Sequence, residues 1–384
     1  MIKNLITFLY YILIFFNFNL SADEEVNKLK IGLLAPFSGE YKNLGDSILL
    51  STQMALEEIN DKNIIIIPRD SGSNNKIQLI KSIDEIIESG AKIIIGPMDS
   101  THMEDLKKYR DVIFISLSNK EPKILKNVIS IGISLESQIQ AIQNFIKKQK
   151  KNKTIIIYPK NKYEDFVDSK IKSLNLKNYK VFKYNPDPKL LTGEIEKLTN
   201  YSQRKKNLEY RKKILEKKDD DKSKKELELL EQKYTLGDVS FDSIIIIDFG
   251  SSLKSVLASL VFTDVDDNKV LYTTVNQWFD KSIFYENNVK HLYFPSVNFE
   301  NFKTYNNKFF KTFGVKPNEV TILAYDTLGL IYYVWKKNNG IESINDFLIK
   351  DKIKGKIGTF QFSNNQLIQE LKIYKTEQNK FKEF

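Results

Sequence analysis

The chain has 384 residues, 41% hydrophobic and 28% charged, which is long for one folded core and long enough for two. It contains no cysteine, which excludes disulfides and thiolate chemistry and removes the usual carrier of an N-terminal lipid. The formal charge of +10 would attract anionic partners, but bases and acids interleave along the chain as on a solvated surface.

Residues 1–22 read as an export signal. Lys3 gives a positive start, Leu5 to Phe16 is apolar, and Leu20-Ser21-Ala22 closes the segment with small residues. No other stretch approaches the length of about 20 apolar residues that a bilayer demands, so the mature chain is expected to have no transmembrane segment. The signal is either cleaved or kept as an anchor, and an exported chain rarely meets nucleic acid.

The next stretch, KIGLLAPFSGEYKNLGDSILLSTQMALEEIN (Lys30 to Asn60), organises the rest. Ile31, Leu33 and Leu34 read as a buried strand, Pro36 ends it, and Ser38-Gly39 and Gly45 keep the following loop small. Ile48, Thr52, Ala55, Leu56 and Ile59 then share one helix face, and the spacing places the helix N-terminus near Asp46 and Ser47. That terminus lies at the carboxyl end of the first strand, where open α/β sheets bind ligands. Ile64 to Ile67, Ile93 to Ile95 and Val112 to Ser116 continue as strands, with helices expected over Ile77 to Ser89 and Met103 to Arg110. Short isoleucine runs that do not alternate are the mark of parallel strands covered on both faces.

The rhythm restarts after Ile131-Gly132-Ile133. Ser137 to Lys150 and Tyr163 to Leu176 read as helices, and Thr154 to Tyr158 and Val181 to Tyr184 as strands. An insert from Gly193 to Leu236 follows, with 12 basic and 8 acidic residues between Gln203 and Lys233. Leucines and tyrosines at helical spacing, broken by Asp219-Asp220-Asp221, predict two helices folded back as a hairpin. Such a charge run is either a solvated helix face or a partner-docking arm. Strands then follow at Ser243 to Asp248, Val270 to Thr274 and His291 to Phe294, with helices at Leu253 to Phe262, Phe299 to Phe313 and Thr321 to Lys336. Lys356 to Phe362 and Leu371 to Lys375 close as strands joined by a turn at Asn364-Asn365.

The opening stretch resembles the start of type I periplasmic binding proteins, the leucine-binding-protein superfamily. IIIGPMDS resembles that family's G-P-x-x-S loop, FISLSN its second serine-bearing strand end, LAYDTLGLIYYVW its late A-Y-D helix and GKIGTFQFSNNQ its closing segment. The resemblance implies an α/β fold of two doubly wound, Rossmann-like lobes around a cleft, joined by three crossings. These are expected near Gly132, Pro295 and Gly355, giving one lobe from 28–132 plus 296–355 and another from 133–295 plus 356–384, with the helical hairpin at 193–236. TNYSQRKKNL, TLGDVSFDSIIIIDFG, FISLSNKEP and GISLESQIQ look most like the branch of penicillin-binding protein activators. That branch implies a periplasmic, non-enzymatic regulator acting by contact with a peptidoglycan synthase. The alternative is a solute receptor that delivers an amino acid or similar small polar ligand to the membrane subunits of an ABC importer.

In either case the cleft is expected to be lined by loops at the carboxyl ends of strands. Ser38 and Tyr41 fall on the first loop, Ser100 and Thr101 on the next matching one, and Ser116, Ser118 and Asn119 on the third. Their hydroxyls and amides suit a carboxylate or other polar head group, and equally suit helix caps and turns. Tyr41 and Tyr163 are candidate apolar walls, Tyr163 at the position that matches the family's second-lobe aromatic, and either equally suits ordinary packing. A receptor for zwitterionic amino acids needs an acid for the ammonium, because a buried unpaired charge costs several kcal/mol. The corresponding stretch TTVNQWFD offers Asn276, Gln277 and Trp278, with no acid before Asp280. His102 and His291 stand alone in separate segments, and no nucleophile elbow, Walker A loop or dinucleotide fingerprint occurs. Binding without chemistry, with no cofactor and no metal, is the expectation.

Overall fold

The computed structural model describes residues 28–98, 101–119, 125–285, 291–363, 366–377 and 379–384. The expected export signal, Ser100 and the Asn364-Asn365 turn lie outside these residues. The elements in chain order are β1 (Leu29–Ala35), α1 (Lys42–Ile59), β2 (Ile64–Asp70), α2 (Lys76–Glu88), β3 (Ile93–Ile95), β4 (Ile113–Ser116), β5 (Val128–Ser130) and α3 (Leu135–Lys148). Then come β6 (Thr154–Pro159), α4 (Glu164–Ser173), β7 (Tyr179–Tyr184), α5 (Pro188–Leu198), α6 (Tyr201–Leu215), α7 (Asp221–Glu231), β8 (Ser243–Ile246), α8 (Gly250–Phe262), β9 (Leu271–Thr274) and β10 (Leu292–Ser296). The chain ends with α9 (Phe299–Phe313), α10 (Thr321–Asn338), β11 (Ile353–Lys354), β12 (Thr359–Ser363), β13 (Gln366–Gln369), β14 (Lys372–Glu377) and β15 (Lys380–Glu383). Among the described residues no helix is long and apolar enough to cross a membrane.

Two sheets make two lobes. The first runs β11-β12-β13-β5-β4-β3-β1-β2 and the second β15-β14-β10-β9-β8-β6-β7. Strands β5, β4, β3, β1 and β2 pair in parallel, as do β10, β9, β8, β6 and β7. Their isoleucine runs are buried because helices cover both faces: Ile93 and Ile95 face one apolar cluster and Ile94 another. The second sheet repeats this with Ile155 and Ile157 on one face and Ile156 on the other. Each such side chain contributes about 1.5–3 kcal/mol by leaving water.

The chain crosses between lobes after β5, after β10 and after β13. The last crossing corrects the expected boundary near Gly355. β12 and β13 zip together with Phe360 opposite Gln369 and Phe362 opposite Leu367, and β13 joins β5 through Gln366 and Ser130. Phe360 and Leu367 are buried in the first lobe's core, so residues 356–369 belong with that lobe and only β14 and β15 return to the second. The charged hairpin is also shorter than expected. Gly193 lies inside α5, which belongs to the second lobe's core through Leu191 and Ile195, and the hairpin proper is α6 and α7. The expected helix from Met103 is a 3₁₀ segment, Met103–Lys108.

Late segments pin the opening helix. The Tyr305 hydroxyl on α9 donates to Ser51 Oγ at 2.8 Å, and Ser51 Oγ donates to the Thr321 carbonyl at 2.7 Å, tying α1 to α9 and α10. Asp326 on α10 accepts the N–H groups of Lys356 and Ile357, each at 2.8 Å. Gly355 leaves room for that carboxylate, since a Cβ there would stand 2.5 Å from Asp326 Oδ2. Burial pushes the Asp326 pKa up to about 6, against the pull of the two N–H donors.

With an unfolded value of 3.8, the native state holds this proton more tightly, so Asp326 adds stability as the pH falls from neutral towards 4. Glu58 runs the other way. Hydrogen bonds from Lys308 and Tyr325 draw its pKa from 4.5 to about 2, so it stabilises above 4.5 and loses that effect as the pH falls towards 2. In Asp326→Asn the first effect should vanish. Urea unfolding at about pH 7 and about pH 4.5 should then show the wild-type chain gaining about 2 kcal/mol relative to the variant at the lower pH. Equal shifts in the two proteins would contradict this account.

Candidate functional site

A cavity of about 550 Å3 opens between the lobes at the carboxyl ends of both sets of strands. The first lobe supplies Tyr41 and the start of α1, Ser71 to Asn74 after β2, Met98 and Thr101 after β3, and Leu117 to Asn119 after β4. The second supplies Lys162 and Tyr163 before α4 and Trp278 after β9, while Val320 and Leu323 close one side. Helix α1 begins at Lys42, one turn earlier than expected, because Leu44 and Gly45 donate to the Tyr41 carbonyl. Gly45 lets that first turn lie against the β1 loop, since a Cβ would stand 2.0 Å from the Pro36 carbonyl oxygen. Gly132 does the same at the first crossing, 2.3 Å from the Ser118 oxygen by the same measure.

Six of the expected site residues line this cavity: Tyr41, Thr101, Ser118, Asn119, Tyr163 and Trp278. Three others are occupied elsewhere. Ser38 donates to Asp70 at 2.6 Å, and Asp70 also accepts Phe37 N–H at 2.8 Å and Gly72 N–H at 2.9 Å, which locks the first loop to the second. Burial opposes the Asp70 charge, but those hydrogen bonds win and hold its pKa below the usual value. Ser116 is fully buried, donating to Pro97 O at 3.3 Å and accepting from Ser118 N–H at 3.1 Å. Asn276 is buried as well. Its N–H donates to Gln138 Oε1 at 2.8 Å, and its Oδ1 accepts the Trp278 N–H at 3.0 Å and the Ser296 hydroxyl at 2.8 Å.

Two lining groups were missed by the sequence reading. The Ser71 to Asn74 loop was legible as a polar loop at a strand's carboxyl end, the same cue that marked the other loops. Lys162 carried no comparable signal. It is exposed, with Nζ 5.1 Å from the Tyr163 ring centroid, and it is the only charged residue among the described residues lining the cavity. No carboxylate among them faces an incoming ammonium group. The cavity presents aromatic faces, small hydroxyls and one cation, a surface for a neutral or anionic polar group.

Residues 28–172 match the model of the family described as periplasmic binding protein. Over the whole chain the likeness is structural. LivJ, the branched-chain amino acid transporter substrate-binding protein of Streptococcus pneumoniae solved with isoleucine, is 15% identical over 92% of this chain and 98% of its own, with a TM-score of 0.57. The C-domain of LpoA from Haemophilus influenzae, a regulator of PBP1A, is 13% identical over 92% of this chain and 99% of that one, with a TM-score of 0.61. The chain has the type I periplasmic-binding-protein fold. A branched-chain amino acid ABC transporter ligand-binding protein from Burkholderia xenovorans shares this fold, 10% identical over 93% of this chain and 94% of that one, with a TM-score of 0.65. The comparison with curated proteins gave no match. Proteins that share this fold thus include both transporter substrate-binding proteins and a regulator of PBP1A.

Asn276 now has a structural part to play. Asn276→Ala leaves the Trp278 N–H and the Ser296 hydroxyl without a buried acceptor, so it should lower unfolding stability by about 1–3 kcal/mol. Denaturant midpoints test this, and an unchanged midpoint would contradict the network just described.

Proposed function

We propose that this chain is a periplasmic regulator without chemistry of its own, resembling penicillin-binding protein activators and acting by contact with a peptidoglycan synthase. The observation that carries the reading is the buttressed hairpin of α6 and α7. Arg204, only 7% exposed, fixes its base: Nε donates to Gly237 O, Nη1 to Thr263 O, and Nη2 to Thr235 Oγ1 and Asp264 O, all within 3.0 Å. Leu208, Leu215 and Leu230 pack between the helices, and Arg211 clamps Glu226 through two hydrogen bonds of 2.8 Å. Burying a guanidinium is costly unless its donors are satisfied, so a connection of no consequence has little reason to be built this way. The arm it holds presents Tyr210 to solvent, a residue type that serves as a contact anchor. The absence of a carboxylate among the described residues that line the cavity favours the same reading over amino-acid capture.

The test is co-purification with membrane-embedded peptidoglycan synthases. Replacing residues 209–226 by a short Gly-Ser turn keeps Arg204 and its partners and removes the arm. Association should fall to background while the unfolding transition persists; retained association would overturn the reading. The receptor for an ABC importer remains the second reading, favoured by the two-lobed cavity with Tyr163 and Trp278 on its wall. Under that reading one amino acid at a hundredfold excess over its dissociation constant should stabilise the chain by about 2.7 kcal/mol in a thermal-shift screen. Under the regulator reading no free amino acid does so.

A further inference from the structure

Helix α6 carries charge that the rest of the molecule does not neutralise. Between Tyr201 and Lys218 stand eight basic residues and two acidic ones. Both arginines turn inward, Arg204 to the hairpin base and Arg211 to Glu226. Among the described residues, Lys205, Lys206, Lys212, Lys213, Lys217 and Lys218 form no ion pair. Lys206, Tyr210 and Lys213 recur at i, i+4 and i+7 on the outer face, and Lys217 extends the line into the following turn. Tyr210 is 69% exposed within this ridge. The opposite face, Leu208 and Leu215, is already buried against α7, so no apolar face is left to insert into anything.

We propose that this lysine ridge lays the hairpin on an anionic phospholipid surface as a peripheral contact without insertion. Two observations favour lipid over an acidic protein. The arginines, whose planar forks match carboxylates in fixed geometry, are used inside the arm, while the outward cations are all lysines, hydrated point charges that need a diffuse field and no defined partner. The ridge also runs along the helix axis for about 16 Å, shaped for a flat array of head groups, with a tyrosine of the kind that sits at membrane interfaces.

The experiment is sedimentation of the exported, processed chain with vesicles of about one-third phosphatidylglycerol in phosphatidylcholine, and with phosphatidylcholine alone, at low salt and at about 0.5 M salt. Binding should require phosphatidylglycerol and vanish at high salt. Each lysine near such a surface is worth about fivefold, so Lys206→Gln, Lys213→Gln and Lys217→Gln together should weaken partitioning on the order of a hundredfold. The matching triple arginine variant should bind as the parent does. No binding to either vesicle overturns the proposal, as does equal binding to both or undiminished binding by the glutamine variant. Loss of synthase association in the glutamine variant, without vesicle binding by the parent, would assign the ridge to a protein instead. Since the vesicles contain no protein, their result stands apart from the co-purification test.

Discussion

The cleft depends on a chain of buried amide side chains that holds the crossings in place. Gln369, at the end of β13, donates to the Ile131 carbonyl at 2.9 Å and so fastens the third crossing to the first. Gln138 on α3 donates back to Ile133 O at 3.1 Å and accepts the Asn276 N–H, while Asn276 accepts from Ser296 at the end of β10. All four side chains are buried, where an unpaired amide costs the full desolvation penalty. The network therefore makes the position of each crossing conditional on the others. It also sets the backbone of Trp278, whose N–H ends the chain of bonds on the cleft wall.

From that wall the chain takes an unusual turn. Trp278 and Phe279 both adopt left-handed backbone conformations, with φ of 50° and 59°, at a cost of about 1–2 kcal/mol for each such residue. The turn places Phe279 against Phe294 and Tyr374 of the second sheet and against Phe299 and Phe302 of α9, with ring centroids 4.8–5.9 Å apart. Trp278 reaches Phe302 at 6.2 Å. Aromatic pairs add about 0.5–1.5 kcal/mol each beyond their buried area, enough to offset the strained backbone. The same packing joins strands of one lobe to a helix of the other.

Much of this architecture was legible because periodicity is a local property. The isoleucine runs marked doubly covered strands, and the loops that follow them marked the cleft, so Tyr41, Thr101, Ser118 and Asn119 could be placed from neighbours in sequence. What was not legible needed partners far along the chain. Ser38, Ser116 and Asn276 have the right chemistry at strand ends, but Asp70, Pro97 and Ser296 claim their side chains, and no local pattern reveals such a claim. The third crossing was misplaced for a similar reason. Phe360, Phe362 and Leu367 announce a buried hairpin, but two sheets compete for it, and register with Ser130 decides. Gly193 lacked any breaking neighbour, so α5 merged with the insert in the sequence reading although Leu191 and Ile195 anchor it in the core.

These features bear on whether the fold works as a trap or as a scaffold. A receptor that closes on its ligand bends at its crossings, and bending is easiest where few buried groups span the joint. Here Gln138, Asn276 and Ser296 are hydrogen-bonded in one arrangement, Gln369 donates through its Nε2 alone, and the Phe279 cluster packs across the boundary in that same arrangement. Opening would have to break several of these contacts together, because packed cores are bistable and do not deform continuously. The hairpin lies outside this joint, fixed by Arg204 to carbonyls at the far ends of α8 and the following loop. A stiff frame that holds out a charged arm fits recognition by surface contact better than capture by closure. Under that proposal the cleft is a fixed recess walled by aromatic faces and Lys162.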